Sequence, residues 1–245
     1  RVQLAQLGRM LNNRILEAHM RNGVTIVDPQ NTWVDVTVTI ENDVTLLPGT
    51  QLHGSTTVAT GATIGPDTTL TDMTVEADAT IIRAHGYGAV IGEGATVGPF
   101  AYLRPGTTLG KDAKLGTFCE AKNSQIGDGA KIPHLSYVGD ATIGEGANIG
   151  AGSIFANYNG LVKNRSVIGA HARMGSAGIY VAPVTVGDGA YSGAGALIRK
   201  DVPAGALAYS ETSQRTIDGW VLKNRAGTEP AEAAKAAGAQ EPAES

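Results

Sequence analysis

The sequence predicts an all-β fold, a parallel β-helix, and three observations carry that prediction. Aliphatic residues recur at every sixth position over most of the stretch from Ile40 to Ile198. A glycine commonly follows the aliphatic residue, as in Ile64-Gly65, Val97-Gly98, Ile126-Gly127 and Val186-Gly187. The chain of 245 residues has 33 Gly but only 3 Phe, 2 Trp and 7 Tyr, so its core must be built from small and aliphatic side chains. A period of six matches neither a helix nor an alternating strand. Short strands joined by tight turns produce it, three hexapeptides closing one triangular coil of about 18 residues. Gly, Asp and Asn belong at the corners, where unusual backbone angles are needed.

Each element follows in order. Residues 2–22 carry Leu4, Leu7, Leu11, Ile15 and Ala18 at helical spacing, with Gly23 placed to end the helix. The inward register then runs Ile40, Leu46, Leu52, Val58, Ile64, Leu70, steps by five to Val75, and reaches Ile81. Arg83 to Val90 reads as irregular. Ile91, Val97, Leu103, Leu109, Leu115 and Ala121 restore the period, and Ile126, Ile132, Val138, Ile143 and Ile149 extend it. Residues 155–166 read as a loop thrown out from the coil, after which Ile168, Met174, Tyr180, Val186, Ser192 and Ile198 resume the register. The β-helix is thus expected over 24–210, with a separate segment at 211–225. From Ala226 to Ser245 there is no Ile, Leu, Val or aromatic residue, and a disordered tail is expected.

Nineteen basic and 23 acidic residues give a net charge of −4, which argues against nucleic acid as a partner. No apolar run approaches the ~18 residues of a membrane span, so membrane insertion is not expected. The single Cys119 cannot form an intrachain disulfide, which fits a reducing compartment and a cytoplasmic location. No signal-peptide pattern precedes the first element, and a chain beginning at Arg1 is expected to be a fragment. A metal site is not expected either. Counted from the preceding inward residue, His53, His134 and His171 fall at +1, +2 and +3, so they point to different places around the coil.

The repeat alone does not specify a function. More specific are Gly98-Pro99-Phe100-Ala101-Tyr102-Leu103-Arg104-Pro105-Gly106 and Pro133-His134-Leu135-Ser136-Tyr137-Val138-Gly139-Asp140. They are followed by Asn148-Ile149-Gly150-Ala151-Gly152 and Asn157-Tyr158-Asn159-Gly160. In this order and spacing the chain resembles the acetyltransferase half of the bacterial bifunctional N-acetylglucosamine-1-phosphate uridyltransferase/glucosamine-1-phosphate acetyltransferases, from the first helix to about Arg225. The resemblance implies a left-handed β-helix assembled as a homotrimer with sites between subunits, to which 211–225 contributes. It also implies that residues 1–23 are the linker from a uridyltransferase domain, where Mg would be expected, and that this segment needs no metal.

The reaction implied is acetyl transfer from acetyl-CoA to the 2-amino group of glucosamine 1-phosphate, supplying UDP-N-acetylglucosamine biosynthesis. The amine attacks only when neutral, so a base with a pKa near 6–7 is required. By resemblance that base is His134; His19, His53, His85 and His171 are read as structural. The phosphosugar would meet Arg104, Lys122, Tyr137, Asn148 and Lys163. Arg104 and Lys122 also share a phase one coil apart, which stacks two cations at about 4.8 Å and suits an anion between them. Acetyl-CoA would meet Ala151, Asn157, Tyr158, Ser176 and Ala194, with Ser176 or a neighbouring N–H placed for the oxyanion. Many members of the family carry an arginine near Glu211 for the CoA phosphates, and Lys223 or Arg225 would have to compensate. Two other readings stand beside this one: another hexapeptide-repeat acyltransferase, and a non-catalytic trimerisation scaffold.

Overall fold

The computed structural model describes residues 1–211 and 216–240, and the chain divides into two units between Ser210 and Glu211. The first unit is a parallel β-helix. Thirty strands of two to four residues form three sheets of 11, 10 and 9 strands, and strands three apart in sequence pair throughout except at the end of the first face, where Tyr191–Ser192 pairs with Leu207–Ala208, two strands on. The first face runs from Thr25–Ile26 to Leu207–Ala208, the second from Trp33–Val34 to Leu197–Ile198, and the third from Thr39–Ile40 to Val184–Val186.

The register explains the hexapeptide pattern. Val97 pairs with Leu115 on the first face, Leu103 with Ala121 on the second and Leu109 with Ile126 on the third, so like residues stack from coil to coil. These aliphatic residues are buried, and a small residue two positions earlier, such as Ala95, Ala113 or Ala130, fills the inside of the corner. Glycines after the aliphatic residues allow the coils to touch. A Cβ on Gly127 would lie 2.7 Å from the Glu145 nitrogen, inside any van der Waals contact. Asp72, Asp112, Asn123 and Asp140 occupy left-handed corner positions, the conformation that short polar side chains tolerate best.

The Arg83–Val90 stretch is regular in the structure. Gly86 takes the inward position between Leu70 and Leu103, and with no side chain to mark the register the period is invisible in the sequence. Met73 fills the space: a Cβ on Gly86 would sit 2.9 Å from its methyl carbon. Helix α1 spans Val2–Arg21, with Asn22 at its C-cap and Gly23 at φ +92°. The expected apolar stripe is not the buried one, since Leu4, Leu7 and Leu11 are exposed while Asn12 and Leu16 are buried. Asn12 explains the difference. Its side-chain nitrogen donates to the Thr32 carbonyl (2.8 Å) and its oxygen accepts from the Val34 N–H (3.0 Å), so it continues the backbone ladder beyond the first coil.

Two boundaries differ from expectation. The excursion expected at 155–166 is narrower, because Phe155 is a buried core residue paired with Tyr180 and Ser166 is buried in the strand Ser166–Ile168. The rings of Phe155 and Tyr180 lie 4.9 Å apart and fill a wide coil that aliphatic residues fill elsewhere. In the second unit, Trp220–Asn224 forms helix α2 within the segment expected at 211–225, and Glu229–Ala236 forms helix α3 inside the tail expected to be disordered. Ala, Glu and Lys are strong helix formers. Glu229 and Glu232 in the first turn and Lys235 in the last complement the helix dipole. The remaining five residues of the expected tail, 241–245, lie outside the described residues.

Candidate functional site

The β-helix sorts the eleven sequence-predicted residues by corner and face. His134 ends the strand Lys131–His134 at the corner between the first and second faces. The next coils place Ala151, Ser176 and Ala194 at the same phase. The Gly152 N–H donates to the His134 carbonyl (3.2 Å), Ala177 to Ala151 (2.7 Å) and Gly195 to Ser176 (2.8 Å), so the four residues form one continuous column. The glycine before each later member keeps the column tight: a Cβ on Gly150 would collide with the Ser176 nitrogen, and one on Gly175 would lie 2.6 Å from the Ala194 nitrogen. The result is a trough of small residues headed by an exposed imidazole. Ser176 stands two coils from His134, about 10 Å at 4.8 Å per coil, which suits contact with a long ligand better than contact with the reacting carbon. Asn148 faces outward on the first face, one coil after Lys131 and one before Arg173.

The other six residues gather across the second face and its far corner. Tyr137 faces outward between Glu120 and Ile154. Arg104 and Lys122 follow the second-face strands, and the Arg104 N–H donates to the Ala121 carbonyl (2.8 Å), which sets the two in one column as their spacing predicts. Their charges are arranged differently from the expected stack. The Arg104 guanidinium binds Glu120 at 2.8 Å, and that hydrogen bond and charge raise its pKa. The like charge facing Lys122 is Lys163, which reaches back from the excursion. Contact with Lys122 and then its charge push the Lys163 ammonium below the usual lysine value, although Asp140 and Tyr137 pull the other way.

The excursion itself is a small hairpin. Asn164 N–H bonds to the Asn157 carbonyl (2.7 Å), Tyr158 and Lys163 form an antiparallel bridge, and Tyr158 Oη donates to the Gly160 carbonyl (2.7 Å). Three residues with no role in the sequence reading hold this group. They are Glu120, Asn123 and Asp140. Glu120 shares the phase of Tyr137, just before an inward residue, and that rule would have found it. Asp140 is buried and accepts from Asn123 Nδ2 (2.6 Å) and Asn157 Nδ2 (2.5 Å). Burial pushes its pKa up, but those hydrogen bonds and the charges of Lys122 and Lys163 outweigh burial and hold the carboxyl below its ordinary value.

An exposed apolar ladder runs along the His134 corner, from the two preceding coils to the coil of His134 itself. Phe100, Phe118 and Leu135 hold consecutive left-handed positions and are all more than half exposed. The two phenylalanine rings stack 5.2 Å apart at 8°. In the second unit, Trp220 is partly exposed beneath the Arg225 guanidinium, 5.3 Å from its ring centre. Among the described residues no cluster of His, Cys, Asp or Glu could hold a metal ion, and no helix is long and apolar enough to cross a membrane.

The family model for the bacterial transferase hexapeptide (six repeats) matches residues 88–120 and 123–157. The bifunctional protein GlmU of Micrococcus luteus is 61% identical over 240 residues, covering 98% of this chain and 48% of the relative. GlmU of Pseudarthrobacter chlorophenolicus is 63% identical over 237 residues, 97% of this chain and 48% of the relative. The chain therefore spans about half the length of these curated relatives, and the matching half is the carboxy-terminal one. Among solved structures, LpxA, a UDP-N-acetylglucosamine acyltransferase from Bacteroides fragilis, aligns with 88% of this chain and 91% of its own at 15% identity and a TM-score of 0.46.

Proposed function

We propose, for a chain that belongs to the GlmU family and matches the carboxy-terminal half of its members, that it transfers the acetyl group of acetyl-CoA to the 2-amino group of glucosamine 1-phosphate. The observation that carries this reading is the column in which an exposed histidine heads a trough of Ala151, Ser176 and Ala194. A pantetheine arm is long, narrow and rich in amides, and a trough with little side-chain bulk lets it lie along the coils against backbone groups. His134 then takes the proton as the neutral amine attacks the thioester carbon. The C–N bond forms, the C–S bond breaks, and the proton leaves with the CoA thiol. Lys122 and Lys163 supply what the phosphate needs: two cations that repel each other until an anion sits between them.

One chain does not complete this site. His134, Asn148 and the trough lie on the first face and its corner, whereas Arg104, Lys122, Tyr137 and the hairpin lie on the second face and the next corner. His134 stands before the Leu135 corner, and Gly139, the partner of Lys122, ends the second-face strand that follows, so the two residues lie at opposite edges of that face. The amine and phosphate of the substrate are on adjacent carbons, so one chain would serve both only if His134 and the lysines leaned toward each other along the whole face. A homotrimer with sites between subunits resolves this, one copy lending its histidine edge to the cation edge of the next, with Phe100, Phe118 and Leu135 buried in the contact. The 211–225 segment, including Trp220, Lys223 and Arg225, is read as a further contributor, and the reaction as cytoplasmic. Uridyl transfer is assigned to the half of the relatives that this chain does not span.

Thiol release from acetyl-CoA, measured across a panel of amino sugars, tests the reading. Glucosamine 1-phosphate should be strongly preferred over glucosamine, and His134→Ala should lower kcat by about 10²- to 10⁴-fold with folding intact, the usual worth of a general base. Equal use of both sugars, or wild-type kcat in the variant, would overturn the assignment. A fully active monomer in sedimentation equilibrium would overturn the shared site.

A further inference from the structure

We propose that Asp140 is a positioning residue that fixes the amide of Asn157 so that Asn157 meets its ligand as a hydrogen-bond acceptor. The inference rests on the acetyl-transfer reading for the identity of that ligand, but its geometry stands independently.

A carboxylate accepts hydrogen bonds and never donates them, so the Asn157 group facing Asp140 must be the NH₂. That nitrogen lies 2.5 Å from Asp140 Oδ2 and 3.3 Å from Tyr137 Oη. Both of its protons are therefore committed. What Asn157 has left to offer is its carbonyl oxygen, which suits a donor such as the substrate amine or an amide N–H of pantetheine. Were the amide turned over, oxygen would face oxygen at Asp140, and the residue would offer donors instead.

The carboxylate is itself held from two sides. Asn123 Nδ2 donates to its other oxygen at 2.6 Å. Arg165, at the far root of the hairpin, donates to the carbonyls of Asn123 and Ala141 and to Thr142 Oγ1, each at 3.0 Å. Both roots of the hairpin are thus fastened to the corner that carries Asn123 and Asp140, and Tyr158 and Lys163 are carried on the clamped segment. Asp140 is buried at φ +49°, and its two carboxylate oxygens are taken by Asn123 and Asn157. Asparagine tolerates that backbone conformation as well as aspartate does, so an isosteric test is available.

The test is a double-mutant cycle. Asp140→Asn sets an amide against an amide, and Asn157→Asp sets a carboxylate against a carboxylate. The double exchange restores a donor–acceptor pair in reverse: the amide now at position 140 can accept from Asn123 and donate to residue 157, which still offers an acceptor. We expect Asp140→Asn to lower kcat/KM for acetyl transfer by about 10- to 100-fold, Asn157→Asp at least as much, and the double variant to recover at least tenfold over either. In Asp140→Asn, assayed at a pH where Lys163 keeps its proton, KM for the phosphosugar should stay level or fall, because removing an anion beside Lys122 and Lys163 strengthens their pull on phosphate; general distortion would raise it. Thermal unfolding of the four proteins reads the same coupling without substrate. Strictly additive effects in both assays would overturn the proposal, as would Asp140→Asn with wild-type kcat/KM. A wild-type protein inactive on glucosamine 1-phosphate would sink the substrate reading alone, and the thermal cycle would then decide the Asp140–Asn157 link.

Discussion

Two glycines of the same repeat make opposite demands, and substituting each by alanine separates them. Gly175 lies in the trough below His134, with no unusual φ, but a Cβ there would sit 2.5 Å from the Gly193 carbonyl carbon and 2.6 Å from the Ala194 nitrogen. Backbone cannot rotate out of the way as a side chain can, so the coils must separate by nearly 1 Å to restore contact. That strains the bonds across the same gap, the Gly175 N–H to Ser192 Oγ at 3.0 Å and the Gly195 N–H to the Ser176 carbonyl at 2.8 Å. Overpacking of this kind costs about 1–3 kcal/mol. For a chain of this size that corresponds to about 2–12 °C in Tm. Gly189 has the reverse character, with φ +61° and nothing within 4 Å of an added Cβ. Alanine there costs the left-handed backbone penalty of about 1–2 kcal/mol, and asparagine should cost less than alanine. The difference shows in function: Gly175→Ala should raise KM for acetyl-CoA by displacing Ser176 and Ala194, while Gly189→Ala should leave it unchanged. Calorimetry and thiol-release kinetics on three variants suffice. A Gly175→Ala protein with wild-type Tm and KM would refute the close-packed trough.

Two further outcomes are expected. Lys122→Gln should raise KM for glucosamine 1-phosphate by about 10- to 150-fold, the worth of one charge-assisted hydrogen bond, and leave KM for acetyl-CoA unchanged. Because Lys122 lowers the Lys163 pKa, wild-type phosphosugar KM should begin to rise with pH below the point where a free lysine would lose its proton, and Lys122→Gln should move that limb to higher pH. Asn12→Ala leaves the Thr32 carbonyl and Val34 N–H buried without partners, at a cost of roughly 1–3 kcal/mol each. In a solenoid that loss stays local, so amide exchange should accelerate around Val34 and not around Ile143.

How much was legible in the sequence follows from which side chains mark the register. Ile64, Val97 and Ile132 announce their coils because only an aliphatic residue fits the inside of a wall. Gly86 announces nothing, and the coil it belongs to is recognisable only once Met73 is seen occupying its space. Phe155 was hidden differently: a large ring at an inward position, beside a run of asparagines, reads as the start of a loop until Tyr180 is placed against it. The helix stripe failed because burial there is decided by the hydrogen bonds of Asn12 rather than by apolar periodicity. In the candidate site, phase arithmetic found the alignment of Arg104 with Lys122 but not the partner of either charge. Glu120 takes Arg104 from a diagonal position, and Lys163 reaches Lys122 from a hairpin that obeys no period.

The hairpin also shows how a one-dimensional fold builds a site without losing its order. Between Ile149 and Met174 the spacing is 25 residues rather than the 17 or 18 of neighbouring coils, yet the two residues pair directly, and Gly150 still stacks on Gly175. The additional residues leave and return at one corner, closed by the Asn164-to-Asn157 bond, so nothing above or below is displaced. Because the insertion is neutral to the register, its side chains are free of the inside–outside rule that governs every other coil. Asn157, Tyr158 and Lys163 are therefore under no packing constraint from the repeat itself. What fixes them is the polar clamp of Asn123, Asp140 and Arg165, in which Asp140 sits at a corner where aspartate is already the natural backbone choice. The same residue type that turns the chain elsewhere is here also the acceptor that orients the hairpin. That double duty is why a corner aspartate, unremarked in the repeat, has more consequence at position 140 than at position 72 or 112.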